Sequence, residues 1–217
     1  MVQIKKIAAF VLMICLAGTL WAHTEARLPM QTDSEEILSE AELEQMVEGF
    51  KALADEGQAE AQLNLGLLYE VGFVVEQDYS EAADWYQKAA EQGNADAQNN
   101  LGVLYSDGQG VEQDEDHAVR LYQQAAEQGH PSAQNNLAGM YLSGRGVAQD
   151  AQQAVQWYQK AAEQNEPQAQ FNLAVMLYQG QGVERDVDQA IKWFGEACQY
   201  GDQRACGNYR LLNKEAE

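Results

Sequence analysis

Protein chemistry needs nucleophiles, acid–base groups or metal ligands held at fixed spacing. This chain offers three histidines, three cysteines and 34 carboxylates as candidates. His23, His117 and His130 share no recurring position, so they do not converge as a ligand set. His117 follows the acidic run Asp114-Glu115-Asp116, an ordinary setting for an exposed imidazole beside helix-capping acids. Ser80, Ser106, Ser132 and Ser143 lie in no nucleophile elbow, and the chain contains no Ser-x-x-Lys. The carboxylates are spread too evenly to single out an acid–base pair. Cys198 and Cys206 are two thiols without the further ligands that zinc takes. Gly108-Gln109-Gly110 could suggest a phosphate cradle, but it follows no strand and completes no nucleotide fingerprint. The expectation is a protein that is not an enzyme and carries no cofactor and no metal.

The charge narrows the partners. Thirteen Lys and Arg against 34 Asp and Glu give a formal net charge of −21 over 217 residues. Nucleic acid demands a positive footprint, and anionic lipid attracts basic segments, so neither is an expected partner. Hydrophobic residues make up 46% of the chain, enough for a core. The N-terminus differs from the rest: Lys5 and Lys6 precede an apolar run from Ile7 to Trp21, with no acid before Glu25. That three-part pattern predicts a signal peptide over 1–22, cleaved near Ala22, although Leu20 is bulkier than usual at its position. Ile14 is too large for the residue before a lipidated Cys15. The mature chain is then expected in the periplasm or outside the cell, with no stable membrane insertion.

The elements that could position a binding face are set by a repeat. Ala61-Gln62-Leu63-Asn64-Leu65-Gly66 recurs from Ala97, from Ala133 and from Ala169, a constant spacing of 36 residues. A worn copy begins at Ala205. A fixed period of this length marks a solenoid. Each unit reads as two helices. The first, helix A, has Ala61, Leu65, Leu68 and Tyr69 on one face. The second, helix B, has Ala82, Trp85, Tyr86, Ala89 and Ala90 on one face. Between them stand Gly108-x-Gly110-Val111 and its copies at Gly144 and Gly180, read as helix terminators. Asp78, Asp114, Asp150 and Asp186 are expected N-caps of helix B. Gly93, Gly129, Asn165 and Gly201 are expected to end it in the left-handed conformation.

The string from Ala97 through Asn100-Leu101-Gly102, Tyr105, Gly108-x-Gly110-Val111, Asp114, Ala118, Tyr122 and Ala125-Ala126-Glu127-Gln128-Gly129 resembles a Sel1-like repeat almost position for position. The resemblance covers roughly residues 50–212. It implies an all-α fold, a right-handed α/α superhelix of antiparallel helix pairs related to tetratricopeptide arrays. The departures are Val74 in place of a loop glycine, Ala174 in place of a helix glycine and Leu177 in place of tyrosine. They imply altered local packing. Cys198 and Cys206 stand where other units have Ala90 and Gln98, or Ala126 and Gln134. The pair resembles the cross-link of cysteine-rich Sel1-like proteins, which implies a disulfide between them in an oxidising compartment. Some members of that cysteine-rich group are described as β-lactamases or penicillin binders. The alternative function implied is therefore a β-lactamase-like hydrolase or a binder of cell-wall fragments.

The expected organisation is a tail over 23–36, a cap helix over 37–60, units at 61–96, 97–132, 133–168 and 169–202, and a capping helix with tail over 203–217. Solenoids curve, and binding is expected on the concave inner face, which tetratricopeptide-like arrays line with helix A. On helix A the residues outside the packing face differ between units: Leu63, Leu67 and Glu70; Asn99, Val103 and Ser106; Asn135, Gly139 and Leu142; Phe171, Val175 and Tyr178. Their i, i+4, i+7 spacing puts each set on one stripe. The stripe is the candidate site for a protein or peptide, with Phe171 and Tyr178 as aromatic anchors. The repeated Asn64, Asn100, Asn136 and Asn172 are expected to bond a neighbouring loop or repeat backbone, since Asn is a poor helix former.

Overall fold

The computed structural model describes residues 39–215. The expected leader and tail, with Cys15 and His23, lie outside them. Ten α-helices and no strand occur among the described residues. They divide into two compact units, one ending at Asn94 and the other beginning at Ala95.

The first unit holds α1 (Glu40–Asp55), α2 (Ala59–Val71) and α3 (Tyr79–Glu91). Ser39 starts α1 with a capping box: its hydroxyl accepts from the Glu42 N–H, and the Glu42 carboxylate accepts from the Ser39 N–H at 2.7 Å. Val47, Phe50 and Ala54 of α1 are buried with Ala61, Leu65 and Leu68 of α2. Gly57 at φ 90° ends this helix as Gly93 at φ 87° ends α3. So α1 covers α2 from the side that the B helix of an earlier repeat would cover, which keeps the apolar end of the array out of water.

The second unit holds α4 (Ala95–Asp107), α5 (Glu115–Glu127), α6 (Pro131–Ser143), α7 (Ala151–Glu163), α8 (Pro167–Gln179), α9 (Val187–Gln199) and α10 (Gln203–Glu215). Consecutive helices touch throughout this unit, and α6 also meets α8. The A helices are therefore α4, α6, α8 and α10, and the B helices α5, α7 and α9. The Asp caps act twice. Asp150 accepts from the N–H groups of Gln152 and Gln153 at 2.9 and 3.0 Å, while its own N–H donates to the Tyr141 carbonyl at 2.8 Å. One residue thus starts α7 and closes the loop from α6. Asp186 does the same for α9, and the Gln189 N–H holds its carboxyl below the usual carboxylate range.

Small residues make room for large ones. A Cβ added to Gly102 would lie 2.8 Å from the Tyr122 ring, so glycine lets α5 approach α4. The second loop glycine has a different reason. At Gly146 the backbone is left-handed, φ 62°, and a Cβ would overlap the carbonyl of Glu115 at the start of α5. Val74 occupies the matching place in the first unit and also has positive φ, 65°. The backbone turn survives the substitution, and the valine side chain packs against the core shared by α1 and α2.

Candidate interaction face

The A-helix stripe is closed at some positions and open at others. Leu63 and Asn99 are buried, at 6% and 8% exposure, and Ser106 is buried too. Leu67, Glu70, Val103, Asn135, Gly139, Leu142, Phe171 and Val175 are half-buried. Glu70 takes a hydrogen bond from the Tyr86 hydroxyl. Tyr178 is the most open, at 38% exposure. Within the second unit the stripe thus offers a partner most surface on α6 and α8 and least where Asn99 and Ser106 stand.

Arginines frame this surface, and the sequence reading missed them. Arg145 donates from its Nη2 to the Ser106 hydroxyl at 3.1 Å and from its Nε to Glu115 at 2.7 Å. The Arg204 guanidinium lies 4.3 Å from the centre of the Phe171 ring, and that of Arg185 lies 5.4 Å from the centre of the Tyr178 ring. Phe171 also meets Phe194 of α9, centre to centre at 5.7 Å. One face of each aromatic anchor is therefore already occupied by a cation.

The repeated asparagines behave differently from the expectation. Asn100, Asn136 and Asn172 bond side chain to side chain, not to loop or repeat backbone. Asn136 donates to Asn99 at 3.1 Å and Asn172 donates to Asn135 at 3.1 Å, linking one A helix to the next. Asn99 donates to Asn100 at 3.2 Å, and Gln168 donates to Asn172 at 3.2 Å. Gln168 in turn accepts from Arg204 at 2.7 Å. The physical reason is geometric: A helices stand side by side, so adjacent amides reach one another before they reach backbone whose groups are already bonded within a helix. Asn99 and Asn135, placed on the stripe from the sequence, are members of this ladder.

A second set of amides recurs on the same helices. Gln134 donates to the Ala126 carbonyl at 3.1 Å and accepts from Gln164 at 2.8 Å. Gln62 does the same with Ala54 and Gln92. The 36-residue recurrence of Gln62, Gln98, Gln134 and Gln170 was the available signal.

His117 and His130 make contacts within the fold. The His130 Nδ1 accepts from the Ala133 N–H at 3.1 Å, which assigns the proton to Nε2, 3.0 Å from Asp96. That hydrogen bond holds the Asp96 carboxyl below its ordinary value. His117 stacks on Tyr105 with ring centres 4.2 Å apart, and burial followed by the nearby Arg120 lowers its imidazole. Among the described residues no three His, Cys, Asp or Glu side chains gather as a metal set.

Cys198 and Cys206 form a disulfide, with Cα atoms 4.6 Å apart, joining the end of α9 to the start of α10. The sequence model of the Sel1 repeat matches four consecutive stretches, 59–94, 95–130, 131–166 and 167–202. The chain belongs to the Sel1 repeat family. The matched stretches begin two residues before the units read from the Ala-Gln strings and keep the same period. Among solved structures, the chain is similar to a protective antigen of uropathogenic Escherichia coli with an SLR fold. The identity is 38% and the TM-score 0.75, over 78% of this chain and 36% of that one. It is also similar to a Sel1 repeat protein from Oxalobacter formigenes, at 35% identity and TM-score 0.73, over 76% of this chain and 66% of that one. This Sel1 chain therefore spans about a third of the antigen's length and just under two thirds of the Oxalobacter protein's. A Klebsiella pneumoniae Sel1 repeat protein, at 22% identity and TM-score 0.50 over 78% of this chain and 85% of that one, shares the fold alone. No curated protein matches the chain. Among the described residues no helix is long and apolar enough to cross a membrane.

Proposed function

We propose that this Sel1 chain is an exported scaffold that binds a protein or an extended peptide along the A-helix stripe of its second unit. Sel1 repeats generally mediate protein interactions, which supports the class of function. One observation carries the placement: Phe171, Val175 and Tyr178 stay half-buried or exposed on α8, while the core of the same helix is sealed by Leu173, Ala174, Met176 and Leu177. Large apolar side chains left partly open on one stripe are what a partner's side chains can cover. Export is supported by the leader pattern and by the disulfide, a bond at home in an oxidising compartment.

The test is affinity capture with the mature chain and with the double variant Phe171→Ala/Tyr178→Ala. The expected outcome is that proteins held by the parent are lost from the variant, while its helical circular dichroism is unchanged. Retention of every captured protein by a folded double variant contradicts the placement. N-terminal sequencing of protein recovered from the producing cells' envelope or medium tests export, with His23 as the expected first residue.

A further inference from the structure

The last junction of the array lacks the glutamine clamp seen at Gln62 and at Gln134. Gln134 shows the complete form: it ties α6 to the end of α5 through the Ala126 carbonyl and to the end of α7 through Gln164. Gln170 has only half of it. Its Nε2 donates to the Ala162 carbonyl at 3.2 Å, but its Oε1 is buried without a partner. The residue in register with Gln92, Gln128 and Gln164 is Tyr200, which is 54% exposed. One unit further on, the glutamine itself is gone: Cys206 is in register with Gln170, and Cys198 with Ala162. The Cys206 sulfur lies 3.6 Å from the Cys198 carbonyl oxygen, the counterpart of the oxygen that Gln170 bonds. Being in a disulfide, that sulfur has no hydrogen to donate. The covalent bond stands where an amide hydrogen bond stands elsewhere.

We propose that the Cys198–Cys206 bond replaces the missing clamp and makes α10 a redox-controlled cap on the last repeat. The buried apolar face of this helix is small: Ala205 and Leu212 are its buried apolar residues among those described, whereas α8 buries Ala169, Leu173, Ala174, Met176 and Leu177. Its remaining ties are the Asp202 cap, the Arg204 contacts with Phe171 and Gln168, and the Tyr209 ring beside Gly195. A terminal helix with so small a buried face frays unless it is tied down. Both cysteines are half-buried beside exposed Tyr200 and Gly201, so a reductant can reach them. A dithiol acts as thiolate on one sulfur, passes through a mixed disulfide and leaves as its own disulfide. The two electrons end on Cys198 and Cys206, each of which takes a proton. With α10 free, Arg204 leaves the Phe171 ring and Gln168, and the apolar side of α9 opens. Reduction therefore uncovers the Phe171 end of the stripe; that consequence alone rests on the function proposed above.

Hydrogen exchange on the whole mature protein, with and without dithiothreitol, tests the cap without any partner. Amides of 203–215 are expected to exchange at least tenfold faster after reduction, while those of α5 to α8 keep their protection. Cys198→Ser/Cys206→Ser should match the reduced parent. The variant Cys198→Ala/Tyr200→Gln/Cys206→Gln carries the residues of the complete junctions and should keep α10 protected in both conditions. Equal protection of α10 in the oxidised and reduced parent overturns the proposal. So does a glutamine variant whose α10 exchanges as fast as in the reduced parent.

Discussion

Two tyrosines show how single residues set the working range of the fold. Tyr122 and Tyr158 are each buried on a B helix, and burial pushes both hydroxyls up to about 12. An unfolded tyrosine titrates near 10. A raised folded value means that the native state keeps the proton longer than the unfolded chain does. The stability this contributes is fully present below pH 10 and is lost as pH rises toward 12. Denaturant midpoints measured between pH 9 and pH 12 should fall steadily, and Tyr158→Phe should flatten part of that fall. An unchanged slope in a folded Tyr158→Phe would contradict this reading. The carboxyls act at the other end of the scale. Asp96 and Asp202 are held low, by His130 and by Arg204 respectively, so what they contribute is present at neutral pH and lost as pH falls through their folded values.

At the scale of the element, the repeat depends on two kinds of glycine that differ in cost. Gly129 ends α5 at φ 92° with open space where a Cβ would stand, whereas Gly146 has φ 62° and the Glu115 backbone in the way. Gly129→Ala should cost about 1–2 kcal/mol, the price of the left-handed conformation alone. Gly146→Ala adds a backbone overlap that α5 must move to relieve, and is expected to cost at least twice as much by urea denaturation. The turn glycines, the Asp caps and the 36-residue period were all legible in the sequence, because each signal is local: a left-handed residue, a carboxylate before a helix, a recurring string. The ladder from Asn99 to Asn172 was not. Its bonds join residues 37 apart, and their partners depend on which side chains face each other across two helices. The closing of Leu63 and Asn99 was hidden for the same reason. A stripe drawn on one helix says nothing of what the neighbouring helix covers. Arg204, 33 residues after Phe171 in the sequence, reaches that ring only because α10 lies beside α8's repeat.

On the scale of the whole molecule, the chain combines a strongly negative charge with a fold made to present side chains in register. With 34 acids against 13 bases, most carboxylates can have no basic partner, which favours a solvated and non-aggregating surface. Against that background the aromatic and aliphatic residues left open on α6 and α8, framed by Arg145, Arg185 and Arg204, form the surface on which the function proposed here depends. Site-specific photo-crosslinking in the native cells tests it most directly. Tyr178→p-benzoylphenylalanine places the probe on the stripe, and the same substitution at Gln152, exposed on α7, places it away from the stripe. A discrete protein adduct from position 178 and none from position 152 is the predicted result. Adducts of equal yield from both positions, or adducts from 152 alone, would contradict it.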